Sequence, residues 1–226
     1  MIERVYQQAQ KTGISSICVA TDDARIQKEV EGFGGQVVMT RDDHVSGTDR
    51  LAEVSEKQGW AKDDIVLNLQ GDEPLMPPQV IQFLAALAGK SDAGIATLAT
   101  PIHTQEDIFN PNIVKVVMNA EGKAHYFSRA PIPWGRDSFQ WPPASKQQVA
   151  RSGLYYRHLG MYAYRVKTLQ EIPLLPSCAI EQTESLEQLR PLYHGIEIQV
   201  GIIEDAPHHG VDTKEDLQRV SALFAE

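Results

Sequence analysis

Val66-Leu67-Asn68-Leu69-Gln70-Gly71-Asp72-Glu73-Pro74 is an apolar run that ends abruptly in an amide, a glycine and two carboxylates. The segment from Ile65 to Leu69 is short and rich in leucine and β-branched residues, which predicts a buried strand. Gly71 lets the backbone turn where a Cβ would obstruct a ligand. The acids then fall at a sheet edge, beyond the carboxyl ends of the strands, where open α/β sheets bind their ligands. Asp72 is placed there to hold a hard cation, and Gln70 to donate to a polar substrate. A solvated turn with Glu73-Pro74 opening a helix is the plainer reading, and the stretch alone weighs the two about evenly.

Upstream of this strand, Ile2, Val5, Tyr6 and Ala9 fall at i, i+3, i+4 and i+7, which predicts an amphipathic helix over 2–11. A strand over 14–20 follows, then a helix opened by Thr21-Asp22-Asp23 and closed by Gly34-Gly35, a strand over 36–40 and a helix over 48–57. This alternation predicts an α/β fold with a doubly wound, mostly parallel sheet. A right-handed βαβ unit requires a strand before the helix at Ile2, and none is present. Met1 is therefore read as an internal methionine, with the first, central strand and the phosphate-cradling loop after it missing.

Downstream, a helix is expected from Pro77 to about Ala88 and a strand over 93–100. The segments 113–118 and 123–128 flank Asn119-Ala120-Glu121-Gly122, which has the chemistry of a hairpin turn. That hairpin opens a mixed-sheet sublobe over 113–165, within a single domain spanning 1–226. Residues 131–153 carry Pro131, Pro133, Pro142, Pro143 and Gly153 with little periodicity and read as a long mobile loop, a lid or a dimer contact. A strand over 158–164, a helix over 166–171, a leucine-lined helix over 184–192 and a strand over 196–202 complete the pattern. Thr213-Lys214-Glu215-Asp216 resembles a capping box that starts a terminal helix.

With 226 residues and 42% hydrophobic content, the chain can bury one sizeable core. A formal charge of -9 without a Lys/Arg cluster argues against nucleic acid as a partner. An acidic protein that handles an anionic substrate needs a local basic pocket, which makes Arg50, Arg129 and Arg157 candidates. The two cysteines, Cys18 and Cys178, form neither a disulfide framework nor a thiolate metal site, and read as structural thiols in a reducing compartment. No run approaches the roughly 18 apolar residues of a membrane span, and no basic N-terminal region precedes an apolar segment, so a cytoplasmic protein without membrane attachment is expected.

Five further segments sit at strand ends or helix starts. His44-Val45-Ser46-Gly47-Thr48-Asp49-Arg50 combines a Ser-Gly turn, a helix N-terminus and an arginine one turn in, which suits a nucleotide; its plain reading is N-capping by Thr48. Arg129, beside Pro131 and Pro133, can clamp a carboxylate or be a surface arginine. His158 lies in an apolar strand with Gly160 two residues on, where a ligand can approach, although a lone histidine there is more often a core residue. Glu187 and Gln188 are adjacent on the leucine-lined helix, placed either to read hydroxyl groups or as a solvated face. Gly210-Val211-Asp212-Thr213 resembles a second carboxylate turn, where Asp212 either shares the cation with Asp72 or caps a helix.

In this order the segments SGTDRL (46–51), NLQGDEP (68–74), FNPNIVKVV (109–117), YFSRAPIPW (126–134), RHLGMYAYR (157–165), ESLEQLR (184–190) and GVDTKEDL (210–217) closely resemble 3-deoxy-manno-octulosonate cytidylyltransferase, also called CMP-Kdo synthetase, across nearly the whole chain. The resemblance implies a nucleotidyltransferase-like Rossmann variant that works as a homodimer and activates the sugar acid Kdo with CTP and Mg2+ for lipopolysaccharide synthesis. It implies Asp72 and Asp212 as the catalytic metal ligands, and Ser46, Gly47 and Arg50 at the nucleotide. Gln70, Arg129, His158, Glu187 and Gln188 would surround the sugar acid. The family opens with a strand and a basic, glycine-containing loop that holds the triphosphate, and neither occurs in this chain. A cytidylyltransferase for another sugar acid, of the sialic acid type, and an N-terminally truncated non-catalytic fragment are the alternatives, with metal-dependent hydrolysis by Asp72 a weaker third.

Overall fold

The computed structural model describes residues 1–136, 139, 153–205, 207, 210–211 and 213–224. In chain order the elements begin with α1 (Ile2–Gln10), β1 (Val19–Thr21), α2 (Ala24–Gly32), β2 (Val37–Met39), α3 (Gly47–Lys57) and β3 (Ile65–Asn68). There follow α4 (Pro78–Lys90), β4 (Ile95–Pro101), α5 (Gln105–Phe109), β5 (Lys115–Met118), β6 (Ala124–Ser128) and β7 (Tyr156–Arg165). The chain closes with α6 (Val166–Glu171), a 3-10 turn (Ile172–Leu174), α7 (Ala179–Glu184), α8 (Leu189–Tyr193), β8 (Ile198–Ile202) and α9 (Lys214–Leu223).

The chain divides into two compact units. Unit 1 takes Met1–Ala86, Arg165–Pro173 and Pro207–Glu226, and unit 2 takes Leu87–Tyr164 and Leu174–Ala206. The boundary falls before β4 because β4 pairs in parallel with β8 and antiparallel with β7, so a strand expected to belong with the first half is tied to the second.

In unit 1, β1 and β2 pair in parallel from Val19↔Val37 to Thr21↔Met39, with α2 as the crossover. Asp23 caps α2 by accepting from the Arg25 N–H at 2.7 Å. The strand expected over 14–20 is regular only at 19–21, since β2 offers a partner only there. Helix α3 packs on α6 across Ser55, whose hydroxyl donates to Ala52 O and accepts from the Gln170 amide. Val30, Val54, Ile81 and Leu84 are buried in its core. Helix α9 starts with the expected capping box, Thr213 paired with Asp216.

Unit 2 is built on strands in the order β6-β5-β7-β4-β8. The hairpin is as expected, with Asn119 Oδ1 accepting from the Glu121 and Lys123 N–H groups in the turn. Strand β7 pairs antiparallel with β4, which places Thr97 opposite Tyr162 and Ala99 opposite His158, so β7 bulges between them, where Gly160 takes φ 65°. The helix expected over 184–192 is broken. Ser185 adopts the left-handed conformation at φ 51°, ends α7, and α8 starts only at Leu189, although Leu186 and Leu189 are buried as expected. Short α5, capped by Thr104, was not expected; five residues are too few to display a helical period. Of the loop expected over 131–153, residues 137–138 and 140–152 lie outside the described residues.

Candidate active site

Asp72 follows the carboxyl end of β3, at the corner the sequence marked. Its Oδ1 is buried and has no hydrogen-bond partner among the described residues. A carboxylate only accepts, so a buried oxygen without a donor is a strong ligand position for a cation. The Gly210 turn is pressed against the same residue. The Val211 N–H donates to Asp72 O at 2.8 Å, and a Cβ on Gly210 would stand 3.2 Å from that oxygen and 3.6 Å from Asp72 Cγ. Asp212 lies outside the described residues, but its two preceding neighbours are packed on Asp72.

A cavity of about 830 Å3 within unit 1 brings Gly47, Arg50, Gln70 and Asp72 together along its wall. Ser46 is the N-cap of α3, not Thr48: its Oγ accepts from the Asp49 N–H at 3.1 Å, and its extended backbone at φ -142° is what the cap position requires. Gly47 is the first residue of α3, so the start of this helix faces the cavity. Arg50 is held by Thr40 Oγ1 at 2.5 Å and by Asp22 at 3.2 Å, the residues immediately following β2 and β1. That fixes a cation near the carboxyl ends of both strands. Gln70 is exposed, with its backbone oxygen closing the turn to the Glu73 N–H. Beside this wall, His44 and Lys57 both bind Glu53, which holds its carboxyl down to about 2, the Lys57 bond contributing most.

The remaining candidates lie in unit 2. Arg129 donates from Nε to Glu184 O at 2.8 Å, from Nη1 to Pro111 O at 3.1 Å and from Nη2 to Ser185 O at 3.4 Å. Its own N–H and the Ser128 hydroxyl bind the two oxygens of the Glu184 carboxylate. The arginine thus sets the turn that carries Glu187 and Gln188, which sit between α7 and α8 rather than within a helix. The Arg190–Glu181 ion pair ties α8 back to α7.

His158 stacks edge-on to Phe127 at 5.0 Å and against Tyr162 at 5.3 Å, and burial pushes its pKa down to about 3. Its Nε2 lies 3.0 Å from Thr97 Oγ1, and that hydroxyl donates to Met161 O at 2.8 Å. The Thr97 oxygen must therefore accept from the imidazole, which sets the neutral tautomer with the proton on Nε2 and leaves Nδ1 as an acceptor.

Three groups of this unit were not foreseen. The Tyr162 hydroxyl is buried without a partner among the described residues, and its pKa is pushed well above the usual value by burial, then by Tyr164 and Glu187. Its signal in the sequence was its position, four residues after His158 on one strand face. Lys115 is fully buried and donates to Asn110 O, Ile113 O and Arg129 O at 2.9, 2.5 and 2.7 Å; Glu184 is the third, accepting from the Ser128 hydroxyl and the Arg129 N–H. Nothing in the one-dimensional pattern of Ile113 to Met118 distinguishes that lysine from a surface one.

The cytidylyltransferase family matches residues 1–198. The chain is 52% identical over 227 residues to the 3-deoxy-manno-octulosonate cytidylyltransferase of Hahella chejuensis, covering 100% of this chain and 88% of that protein. It is likewise 52% identical over 226 residues to the enzyme of the same name from Pseudomonas fluorescens, covering 99% and 87%. Its fold matches that of a CMP:2-keto-3-deoxy-manno-octonic acid synthetase complexed with CTP, at a TM-score of 0.85 and 41% identity over 99% of this chain and 87% of the other. A 4-diphosphocytidyl-2C-methyl-D-erythritol synthase shares the fold alone, at a TM-score of 0.62 and 15% identity. An α/β nucleotidyltransferase-like architecture, a relative at half identity across the whole chain and a family model over most of it agree, and the chain belongs to the 3-deoxy-manno-octulosonate cytidylyltransferases.

Proposed function

We propose that this chain joins CTP and Kdo to give CMP-Kdo and pyrophosphate. The anomeric hydroxyl oxygen of the sugar acid forms a bond to the α-phosphorus of CTP, the bond from that phosphorus to the bridging oxygen breaks, pyrophosphate leaves and the hydroxyl proton passes to solvent. The observation that carries the reading is the buried Asp72 oxygen at the end of β3, unpartnered among the described residues, with the Gly210 turn packed on that residue. That donor set fits a magnesium ion, which takes oxygen ligands from one or two carboxylates, phosphates and water; Asp72 would hold it, with Asp212 as the expected second ligand. Bound there, magnesium supplies neutralisation of charge on the transferring phosphoryl group.

The chain's own groups orient the two substrates. Arg50, already held in place, meets the nucleotide phosphates at the α3 N-terminus beside Ser46 and Gly47. Arg129 keeps two of its five guanidinium N–H groups for the sugar carboxylate, since three are spent on carbonyls. Neutral His158 offers Nδ1 to a sugar hydroxyl, and Gln70, Glu187 and Gln188 add further polar contacts. Both relatives named above carry the Kdo name, and no observation favours sialic acid.

The test is pyrophosphate release from CTP, Kdo and magnesium. Turnover is expected to fall by about 100-fold or more in Asp72→Asn, which keeps the shape and removes the charge, while the circular dichroism spectrum and melting temperature stay close to the parent. Full activity in that variant would remove Asp72 from the chemistry, and no turnover by the parent chain would overturn the proposed reaction.

A further inference from the structure

Strand β7 leaves its ladder with β4 at one place, and a threonine of β4 reaches into the gap. Thr97 pairs with Tyr162 and Ala99 with His158, so Leu98 alone separates the two pairs on β4, while Leu159, Gly160 and Met161 separate them on β7. A bulge of this kind disrupts the ladder locally and re-aims the side chains beside it. The Met161 carbonyl lies in the bulge and accepts from the Thr97 hydroxyl at 2.8 Å. The oxygen of that same hydroxyl lies 3.0 Å from His158 Nε2.

One side chain thus ties the bulge and the imidazole together. A hydroxyl has a single hydrogen, and the Met161 carbonyl takes it, so Thr97 has only acceptor capacity to give the histidine. Thr97, Leu98 and Ala99 are all 0% exposed, and a β-branched side chain is stiff at χ1, which leaves that oxygen little freedom to turn. His158 is only half-buried, so a ligand can reach the imidazole and not the hydroxyl that holds it. Burial keeps the ring neutral, with its pKa pushed down to about 3, so at neutral pH its hydrogen-bonding character is decided by which nitrogen carries the one proton.

We propose that Thr97 is a positioning residue for the transfer reaction: without touching substrate, it fixes the His158 proton on Nε2 and so makes Nδ1 an acceptor that takes a sugar hydroxyl and turns a carboxylate away. This rests on the sugar acid lying at His158, as proposed above. A carboxylate or keto oxygen can only accept and finds no donor at Nδ1, whereas a hydroxyl can donate to it. Arg129 carries donors alone and discriminates in the opposite sense. Between them the two residues seat the sugar acid in one direction, carboxylate toward Arg129 and hydroxyl toward His158. Thr97→Val keeps the shape and leaves an Nε2 proton facing a methyl group, where it has no acceptor, so the proton moves to Nδ1. Thr97→Ser restores the oxygen.

The test is nitrogen NMR of the imidazoles in the intact chain at neutral pH, with the His158 signals assigned by their loss in His158→Asn. The proton is expected on Nε2 in the parent and in Thr97→Ser, and on Nδ1 in Thr97→Val. In steady-state kinetics Thr97→Val is expected to raise the KM for Kdo by about fivefold or more and to leave the KM for CTP within about twofold, with Thr97→Ser close to the parent. A proton on Nδ1 in the parent would overturn the proposal without any variant, which decides the matter even where Thr97→Val does not fold. An Nε2 proton that persists in Thr97→Val would take control of the tautomer away from Thr97. A moved proton with an unchanged KM for Kdo would overturn the selection of the sugar acid. The tautomer is read without CTP or sugar acid, so its failure is distinct from a failure of the transfer reaction.

Discussion

Arg129 is committed to carbonyl oxygens before any substrate arrives, and that commitment decides what its removal does. Truncation to alanine would free the Ser185 turn and also remove the two N–H groups left for a carboxylate. Arg129→Ala is therefore expected to raise the KM for Kdo by about tenfold or more and to leave the KM for CTP within about twofold. Steady-state kinetics with each substrate varied in turn checks this, and equal effects on both would detach Arg129 from the sugar acid. Asp72 was legible in the sequence because an apolar strand broke into polar residues beside a glycine. Tyr162 was not, because an aromatic residue in an alternating strand reads as core until the missing partner of its hydroxyl is seen. The cap of α3 was read at Thr48 rather than Ser46, since both are good caps and the extended backbone at Ser46 is what distinguishes them.

At the scale of elements, the ends of β5 and β6 are held together by one buried ammonium. Lys115 satisfies carbonyls of the segment before β5 and of Arg129 after β6, and burial pushes its pKa down to about 8. Replacing it with methionine fills similar volume but leaves three carbonyl groups without their charged donor. Lys115→Met is expected to cost about 3 kcal/mol of stability, read as a lower midpoint in urea unfolding. An unchanged midpoint would mean that water takes over the three carbonyls. The hairpin itself was legible from Asn119 to Gly122 because turn chemistry is local. The break between α7 and α8 was not, because leucine spacing continues through Ser185 and only its left-handed backbone interrupts the helix. That break moves Glu187 and Gln188 from a helix face to a turn, where Arg129 controls their placement.

Across the whole molecule, the alternation of elements was readable up to β3, and the division into units was not, because the parallel partner of β4 lies about a hundred residues downstream, at β8. The two units also differ in how they meet acid. In unit 2, His158 is neutral with its pKa held at about 3 by burial, against about 6.5 in an unfolded chain. Between those values the unfolded state binds a proton that the folded state refuses, so stability from this group is complete above pH 6.5 and declines as pH falls toward 3. At up to about 1.4 kcal/mol per pH unit, the loss by pH 5 is on the order of 1–2 kcal/mol. In unit 1, Glu53 is held at about 2 by Lys57 and His44, so its contribution is present above about pH 4.5 and is lost only as pH falls from there toward 2. Acidification from pH 7 to 5 is therefore expected to lower amide protection in β4 and β7 while α3 keeps its own, after correction for intrinsic exchange rates. His158→Asn retains a neutral hydrogen-bonding side chain and should remove the unit 2 response. Persistence of that response in the variant would transfer it from His158 to another group, and its absence in the parent chain would mean that the imidazole accepts a proton without leaving its place between Phe127 and Tyr162.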